Sequence, residues 1–357
     1  MPEPRRDPSS RRLRRSRTKP TAWTRDVTVC AAGGAPPDPP PSDPGSVAEL
    51  GEFRLIARIT SGRRLPVATL LGPGDDAAVL VAADGRVVVS TDVLVEGVHF
   101  RLDWSTPHQV GRKAVAANLA DVVAMGAVPT ALVVGLAVPG RTPVSTVDGL
   151  AAGMWEEAEQ AGAGIVGGDV VSCAELVVSV TALGDLRGRP PVTRSGARPG
   201  DVLGLCGRLG WAAAGLAVLR RGFRSPPAVV GAHRVPEPPY GAGTRAAAAG
   251  ATAMIDVSDG LLADAGHLAE ASGVGIDIDS AAVPVAATVA EVASALGADA
   301  LHWVLTGGDD HALLACFPAG VALPAGWTEL GVVRQGRGVT VDGDAYDVFP
   351  AGWEHFA

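Results

Sequence analysis

Lysine is almost missing from this chain. Only Lys19 and Lys113 occur in 357 residues, and no G-x-x-x-x-G-K-[ST] is present, which excludes a P-loop enzyme. Cysteine is scarce as well: Cys30, Cys173, Cys206 and Cys316 are widely spaced, with no C-x-x-C pair and no histidine at zinc-finger spacing. That excludes a disulfide framework and a structural zinc. No apolar run reaches the ~18 residues of a membrane span, since even 131–139 is interrupted by Gly135 and closed by Pro139-Gly140. A soluble, cytoplasmic protein is expected. The protein-kinase H-R-D and D-F-G signatures and the G-x-S-x-G elbow are absent too.

Glycine and proline are plentiful, with 46 Gly and 28 Pro, but they alternate with long Val/Leu/Ala stretches of helical or strand period. Residues 1–45 differ. The first 44 carry nine basic side chains, five acidic ones and ten prolines, with almost no apolar period, so this extension is predicted to be disordered. It lacks the apolar stretch of a signal peptide. A basic nucleic-acid arm and a start placed too far upstream both fit it, and the second is the reading taken. Since the total is −8, the remaining body carries −12, which argues against nucleic acid as the ligand.

The body is expected to begin at a capping box, Ser46 to Glu49, leading into a first helix. Ala77–Val81 and Arg86–Ser90 flank Asp84-Gly85 and predict a hairpin. Helices are expected over Pro107–Met125, Val144–Gln160, Trp211–Arg220, Thr244–Ala249 and Leu261–Ser272, the last with Ser258 or Asp259 as its N-cap. Strands are expected over Ala131–Val138, Leu176–Leu183, Val202–Cys206, Gly275–Ile278, Ala312–Phe317, Leu330–Val333 and Val339–Val341, with another ending at Asp256. Residues 225–239 read as a Pro-rich loop, and 184–200 as the linker between two domains, 46–186 and 187–357. This mixed order predicts an α+β fold and not a regular doubly wound sheet.

Acidic residues recur beside Gly, Ser or Thr, after an apolar strand or at a helix entrance: Asp75-Asp76, Asp92, Asp121, Asp169, Asp256 with Asp259, and Asp309-Asp310. Turn and cap chemistry accounts equally well for any one of these clusters. Six together point to hard-cation ligation, because Mg²⁺ takes oxygen ligands in octahedral geometry and shares them with phosphate. An acidic pocket holds a nucleotide only with divalent cations between like charges, so several Mg²⁺ ions are expected. Gly162-x-Gly164-x-x-Gly167 matches a dinucleotide fingerprint but follows a helix and enters a strand, the reverse of the required context. It is read as a decoy. Asp277 with Asp279 is read as an exposed strand face, Asp264 with His267 as a helix surface, and Asp76 and Asp310 as turn acceptors.

Seven segments in order carry a resemblance. They are Gly74-Asp-Asp-Ala-Ala78, Ser90-Thr-Asp-Val-Leu-Val-Glu-Gly-Val-His-Phe100, Gly111-Arg-Lys-Ala through Asn118-Leu-Ala-Asp-Val-Val-Ala-Met-Gly-Ala127, Ile165-Val-Gly-Gly-Asp169, Arg194-Ser-Gly-Ala197, Ile255-Asp-Val-Ser-Asp-Gly-Leu261 and Leu305-Thr-Gly-Gly-Asp-Asp310. From about Gly51 to Phe356 the chain resembles the thiamine-monophosphate kinases of the aminoimidazole ribonucleotide synthetase superfamily. The resemblance implies a homodimer of two-domain α+β subunits. It also implies ATP-dependent phosphorylation of thiamine monophosphate to thiamine diphosphate, with no nucleic-acid or membrane partner.

By the same resemblance Asp75, Ser90, Thr91, Asp92, Asp121, Asp169, Asp256 and Asp259 belong to the magnesium cluster. Gly168, Asp169, Arg194 and Ser258 belong to ATP, and His99, Asp309 and Trp353 to the substrate. Asp92, Asp259 and Arg194 carry catalysis. A guanidinium suits the ATP role because it binds phosphate oxygens as a fork, and Trp353 offers a ring to stack on the substrate's heterocycles. Gly307-Gly-Asp-Asp-His-Ala-Leu313 departs from the family's Gly-Gly-Glu-Asp-Tyr-Glu-Leu, so Asp309 is one methylene shorter than the family residue. Two alternatives stay open: another phosphate acceptor on the same fold, or nucleotide binding without turnover.

Overall fold

The computed structural model describes residues 45–74 and 77–346; the N-terminal extension, Asp75, Asp76 and Trp353 lie outside them. The chain enters through α1 (Val47–Leu50) and α2 (Glu52–Thr60). The expected capping box forms, with Ser46 Oγ accepting from Glu49 N and the Glu49 carboxylate accepting from Ser46 N. Gly51 divides the expected single helix in two, its φ of 80° lying outside helical range.

β1 (Thr69–Leu71) pairs with β2 (Val79–Leu80), and β3 (Val88–Val95) leaves them for another sheet. The predicted hairpin is therefore not formed. Asp84-Gly85 does turn the chain, with Gly85 at φ 78°, but Asp84 accepts from Arg86 N and Gly188 N, and the flanking strands find different partners. Long-range pairing overrides the local turn signal.

The first large unit follows the expected order: α3 (Pro107–Ala124), β4 (Val128–Val138), α4 (Val144–Gln160), β5 (Ile165–Ser172) and β6 (Val177–Asp185). Its sheet runs β3-β6-β4-β5, antiparallel except for the β4–β5 pair. One face is covered by α3 and α4, whose Val110, Leu119, Val122, Leu150 and Met154 join Leu132, Val178 and Val180 of the sheet in one core. The two helices touch at glycine. A Cβ on Gly153 would stand 1.9 Å from His108 O, and one on Gly111 2.1 Å from Leu150 O.

The opposite face is open. Along β3, Ser90, Asp92 and Leu94 point toward the helices, while Val89, Thr91 and Val93 point away, as the two-residue period requires. Val89, Val93, Val133 and Val171 are 63, 48, 38 and 50% exposed on that open side.

The second unit contains β7 (Val202–Cys206), α5 (Trp211–Arg220), α6 (Pro227–Arg234), α7 (Ala242–Ala248), β8 (Ala253–Val257), α8 (Leu261–Ser272), β9 (Gly275–Ile278), α9 (Ala287–Leu296), α10 (Ala300–Thr306), β10 (Ala312–Phe317), β11 (Thr328–Arg334), β12 (Gly338–Val341) and β13 (Asp344–Ala345). Its seven strands run β13-β12-β9-β11-β7-β10-β8. The Pro-rich segment was expected to be a loop and instead holds α6, since Pro227 sits at the first helical position, where no N–H is needed. Helices α9 and α10 were not anticipated. In α9, β-branched Thr288, Val289 and Val292 dilute helix propensity, and burial of Val289 and Val292 against Val218 and Val229 compensates.

Two acidic assignments change. Asp277 is 8% exposed and accepts from Thr340 Oγ1 at 2.7 Å and Gly343 N at 2.9 Å, so it pins β12 to β9 and is no open face. Asp264 is 1% exposed and accepts from Asp259 N and Gly260 N, both at 3.0 Å. It closes the entrance of α8 from inside the helix, where Ser258 or Asp259 had been expected to cap it; Gly260 precedes the helix and offers no side chain.

Helix α3 belongs to both units. Its Val123 and Ala124 pack with Ala246, Met254, Leu313 and Phe317 of the second unit, while its Val110, Leu119 and Val122 pack in the first.

Candidate active site

The end of α3 and the end of β8 bring carboxylates together. Asp121, two turns beyond Lys113 on α3, accepts from Ser90 Oγ of β3 at 2.6 Å. Asn118, a turn earlier, accepts Asp92 N at 2.9 Å and donates to Ala114 O at 2.8 Å, so one buried amide fixes β3 against the helix. Asp256, 3% exposed on β8, comes from the other unit. A cavity of about 450 Å³ is lined by Ser90, Asp121, Asp256 and Arg194, with Met125, Met254 and Ile255 supplying apolar wall.

Electrostatics mark the cluster. Burial, then the charge of Asp256, raises the Asp121 carboxyl to about 6 against the pull of Ser90; Asp92 adds to the rise. Carboxylates that discourage one another's ionisation, together with a hydroxyl, form a hard-oxygen set that a divalent cation would relieve. The donor chemistry thus fits Mg²⁺.

Asp259 follows β8, and ligand atoms of Asp259, Asp264 and His267 lie within 4.8 Å of one another. Burial, with Asp256 and Asp259 nearby, lifts Asp264 to about 7 although two backbone N–H groups oppose it. Ser258 presents its carbonyl to Asp309 N at 2.7 Å. Asp310 is buried and accepts from Gly210 N and Ala212 N, so it fixes the start of α5 across the fold where a local turn acceptor was expected.

Not every expected ligand meets there. Thr91 turns to the open sheet face, where its hydroxyl donates to Val180 O at 3.0 Å and accepts from Thr181 Oγ1 at 3.1 Å. Asp169, paired with Gly135, shares that open face and accepts from Val170 N at 2.8 Å. Gly168 beside it approaches Val134 O so closely that a Cβ would lie 2.0 Å away. His99 sits half-buried after β3, its Nδ1 accepting from Val95 N at 3.0 Å. Asp75 and Trp353 lie outside the described residues.

Asp309 has company that sequence reading missed. Lys113 Nζ donates to its Oδ2, His311 Nε2 lies 3.7 Å from its Oδ1, and His233 Nδ1 is 3.8 Å from Oδ2. Burial works to raise the Asp309 carboxyl, yet Lys113 and the two histidines hold it well below the usual carboxylate range. His311 Nδ1 is 3.0 Å from Asp256 Oδ2; burial disfavours its charge, but Asp256 and Asp309 outweigh burial and raise it to about 10. Burial and then Lys113 push His233 down to about 4. The signals for Lys113 in the sequence are its rarity and its place in the Gly111-Arg-Lys-Ala segment.

Two family models match consecutive stretches: AIR synthase related protein, N-terminal domain, over residues 74–186, and its C-terminal domain over 198–323. A four-stranded and a seven-stranded unit meeting at a carboxylate-lined cavity is thus the two-domain α+β architecture of that class. The thiamine-monophosphate kinase of Mycobacterium tuberculosis is 56% identical over 315 residues, covering 87% of this chain and 93% of that one. That of Corynebacterium glutamicum is 45% identical over 327 residues, covering 88% and 96%. A solved structure described as AaThiL complexed with AMPPCP and TMP is 34% identical, with a TM-score of 0.73, covering 86% of this chain and 98% of that one. The chain belongs to the thiamine-monophosphate kinase family.

Proposed function

We propose that the protein transfers the γ-phosphoryl group of ATP to thiamine monophosphate, giving thiamine diphosphate and ADP. The observation that carries this reading is the meeting of Ser90, Asp121 and Asp256 with Arg194 in one cavity lined by both units. A relative solved with AMPPCP and TMP supports the choice of nucleotide and acceptor.

The acceptor is an ionised phosphate oxygen, so no strong general base is required. That oxygen bonds to the γ-phosphorus as the bond to the β–γ bridging oxygen breaks, and ADP departs with the electron pair. Positioning and charge stabilisation then account for the catalysis. Asp92, Asp121, Asp256, Asp259 and Ser90 are assigned to hold Mg²⁺, with Asp75 proposed as a further ligand. When bound, Mg²⁺ neutralises charge on the transferring phosphoryl oxygens. Arg194 and the Ser258 segment are assigned to ATP phosphates, with Arg194 serving the leaving side as a fork. His99 and Trp353 are assigned to thiamine monophosphate, and Asp309 to the border of that site.

The reading includes a homodimer, supported by the open sheet face, whose Val89, Val93, Val133 and Val171 form an apolar patch of the kind that marks interfaces. Thr91, Gly168 and Asp169 lie on or beside that face, so pairing there would enclose them. The domains are taken as 46–186 and 187–357. No helix among the described residues is long and apolar enough to cross a membrane, and with small phosphorylated substrates the reaction is assigned to the cytoplasm.

The test is production of ADP and thiamine diphosphate from ATP, Mg²⁺ and thiamine monophosphate, with and without EDTA. Equal, metal-dependent amounts of both products are expected. Folded, ATP-binding protein that makes neither would refute the proposal.

A further inference from the structure

We propose that Lys113 is a positioning residue that, through Asp309, ties the two halves of the carboxylate cluster together; the proposal rests on the metal assignment above. Lys113 is 5% exposed in the middle of α3. Its Nζ donates to Asp309 and, at 3.1 Å, to His233 O, both in the second unit. Lys113, Ala117 and Asp121 stand four residues apart, so the ammonium and the cluster carboxylate lie along one row of the helix.

From Asp309 the connection continues to the other half of the cluster. The loop 307–311 is strapped to the end of β8 by Asp309 N on Ser258 O at 2.7 Å and His311 N on Val257 O at 2.9 Å. His311 then reaches back to Asp256 at 3.0 Å. A chain of polar contacts, Lys113 to Asp309 to His311 to Asp256, therefore begins on the helix that carries Asp121 and ends on the strand that carries Asp256. Asp309 and His311 both hold left-handed backbone, at φ 69° and 51°, which non-glycine residues adopt at a cost. Gly308 between them and β8 leaves no room for a side chain, since a Cβ would stand 2.4 Å from Ser258 O. The loop is thus held in one strained shape whose effect is to aim two side chains, one at Lys113 and one at Asp256.

The choice of lysine fits this role. Every other cation among the described residues, histidine apart, is arginine, whose planar fork needs a wider set of acceptors. A compact ammonium fits between one carbonyl and one carboxylate. The shortened acidic residue at 309 then suits the reach of the lysine it meets.

The experiment uses the full chain and the variants Lys113→Met, Asp309→Asn and the double variant. Thermal midpoints establish folding, and calorimetry reads Mn²⁺ affinity in the presence of AMPPCP. Mg²⁺ dependence of turnover is measured in parallel. Each single variant is expected to weaken Mn²⁺ binding by about 10–100-fold, the usual effect of removing a group that orients metal ligands. The double variant should lose no more than the worse single, because the two residues act through one link. Wild-type affinity in the folded variants, or losses that multiply, would overturn the proposal. If Lys113→Met does not fold, Asp309→Asn, which preserves side-chain shape, reads the same link. Failure of the unaltered chain to bind Mn²⁺ with AMPPCP would be a different result, removing the metal assignment and this inference with it.

Discussion

Ser90 Oγ and Asp121 Oδ2 lie 2.6 Å apart, joining the inner face of β3 to the last turns of α3. The hydroxyl steadies a carboxylate whose neighbours oppose its ionisation, and Asp121 is held near 6 as a result of burial, Asp256 and that hydroxyl's counteraction. Ser90→Ala should leave the chain folded, raise the Mg²⁺ requirement several-fold and move the Asp121 carboxyl upward. Mg²⁺ titrations of turnover at pH 7 and 8 check this, with a larger deficit expected at the lower pH, where more of the carboxyl is protonated.

Asp92→Asn and Asp259→Asn keep side-chain volume and remove charge. Each is expected to lower kcat by orders of magnitude, roughly 10²-fold or more on the scale of lost transition-state charge stabilisation. Thermal midpoints should stay close to that of the parent. Near-normal turnover in both would end the metal assignment.

Gly153→Ala places a methyl group where His108 O already stands 1.9 Å from the Cβ position. Helices α3 and α4 must separate or shift, and the expected loss is about 1–3 kcal/mol or more. Urea unfolding measures it. Gly162→Ala, with nothing within 4 Å but φ 74°, tests backbone strain without a steric clash and should cost less, about 1 kcal/mol.

Asp277 accepts hydrogen bonds from Thr340 and Gly343 N and pairs with Arg334, and these hold its carboxyl below 3.8 against burial. A depressed folded-state value means stability that is present above pH 3.8 and lost as pH falls through the folded value. Asp277→Asn should cost roughly 1–2 kcal/mol at pH 7, mostly through its hydrogen bonds, because Arg334 is 60% exposed and its ion pair is screened. The gap between parent and variant should narrow on acidification below 3.8. Urea midpoints at pH 7, 5 and 3.5 read it.

Part of this arrangement was legible in the sequence: carboxylates beside small residues signal both turns and hard-cation sites, and of the six such places Asp92, Asp121 and Asp256 come together in the fold whereas Asp169 lies on the open sheet face. Regular helices such as 144–160 and 211–220 were legible and keep their expected bounds in the fold. What escaped depended on distance in the chain. Asp84-Gly85 is a true turn, yet its flanking strands join different sheets. Asp264 and Asp277 looked like surface acids because the N–H groups that donate to their carboxylates, those of Asp259, Gly260 and Gly343, are backbone and leave no mark in composition. Lys113 and His233 lie 196 and 76 residues from Asp309 in sequence, and only the fold brings them to it beside its near neighbour His311. The sidedness of β3 was implicit in its two-residue period, which separates Thr91 from Ser90 and Asp92.

The seven-stranded sheet has a consequence for how the chain acquires its shape. Strand β7 lies between β10 and β11, more than a hundred residues later in sequence, and β9 between β11 and β12. Pairing of such separated segments must wait for loop closure and slows folding. On the ribosome, β3 to β6 can assemble with α3 and α4 as soon as residue 185 emerges. β7, β8 and β9 must wait, with apolar surfaces uncovered, until 312–334 has been made. During that interval Leu313, Ala315 and Phe317, which complete the cluster around Val123 and Ala124, have not yet been made. The nascent chain is therefore most exposed to aggregation and to chaperone capture between synthesis of β9 and synthesis of β10.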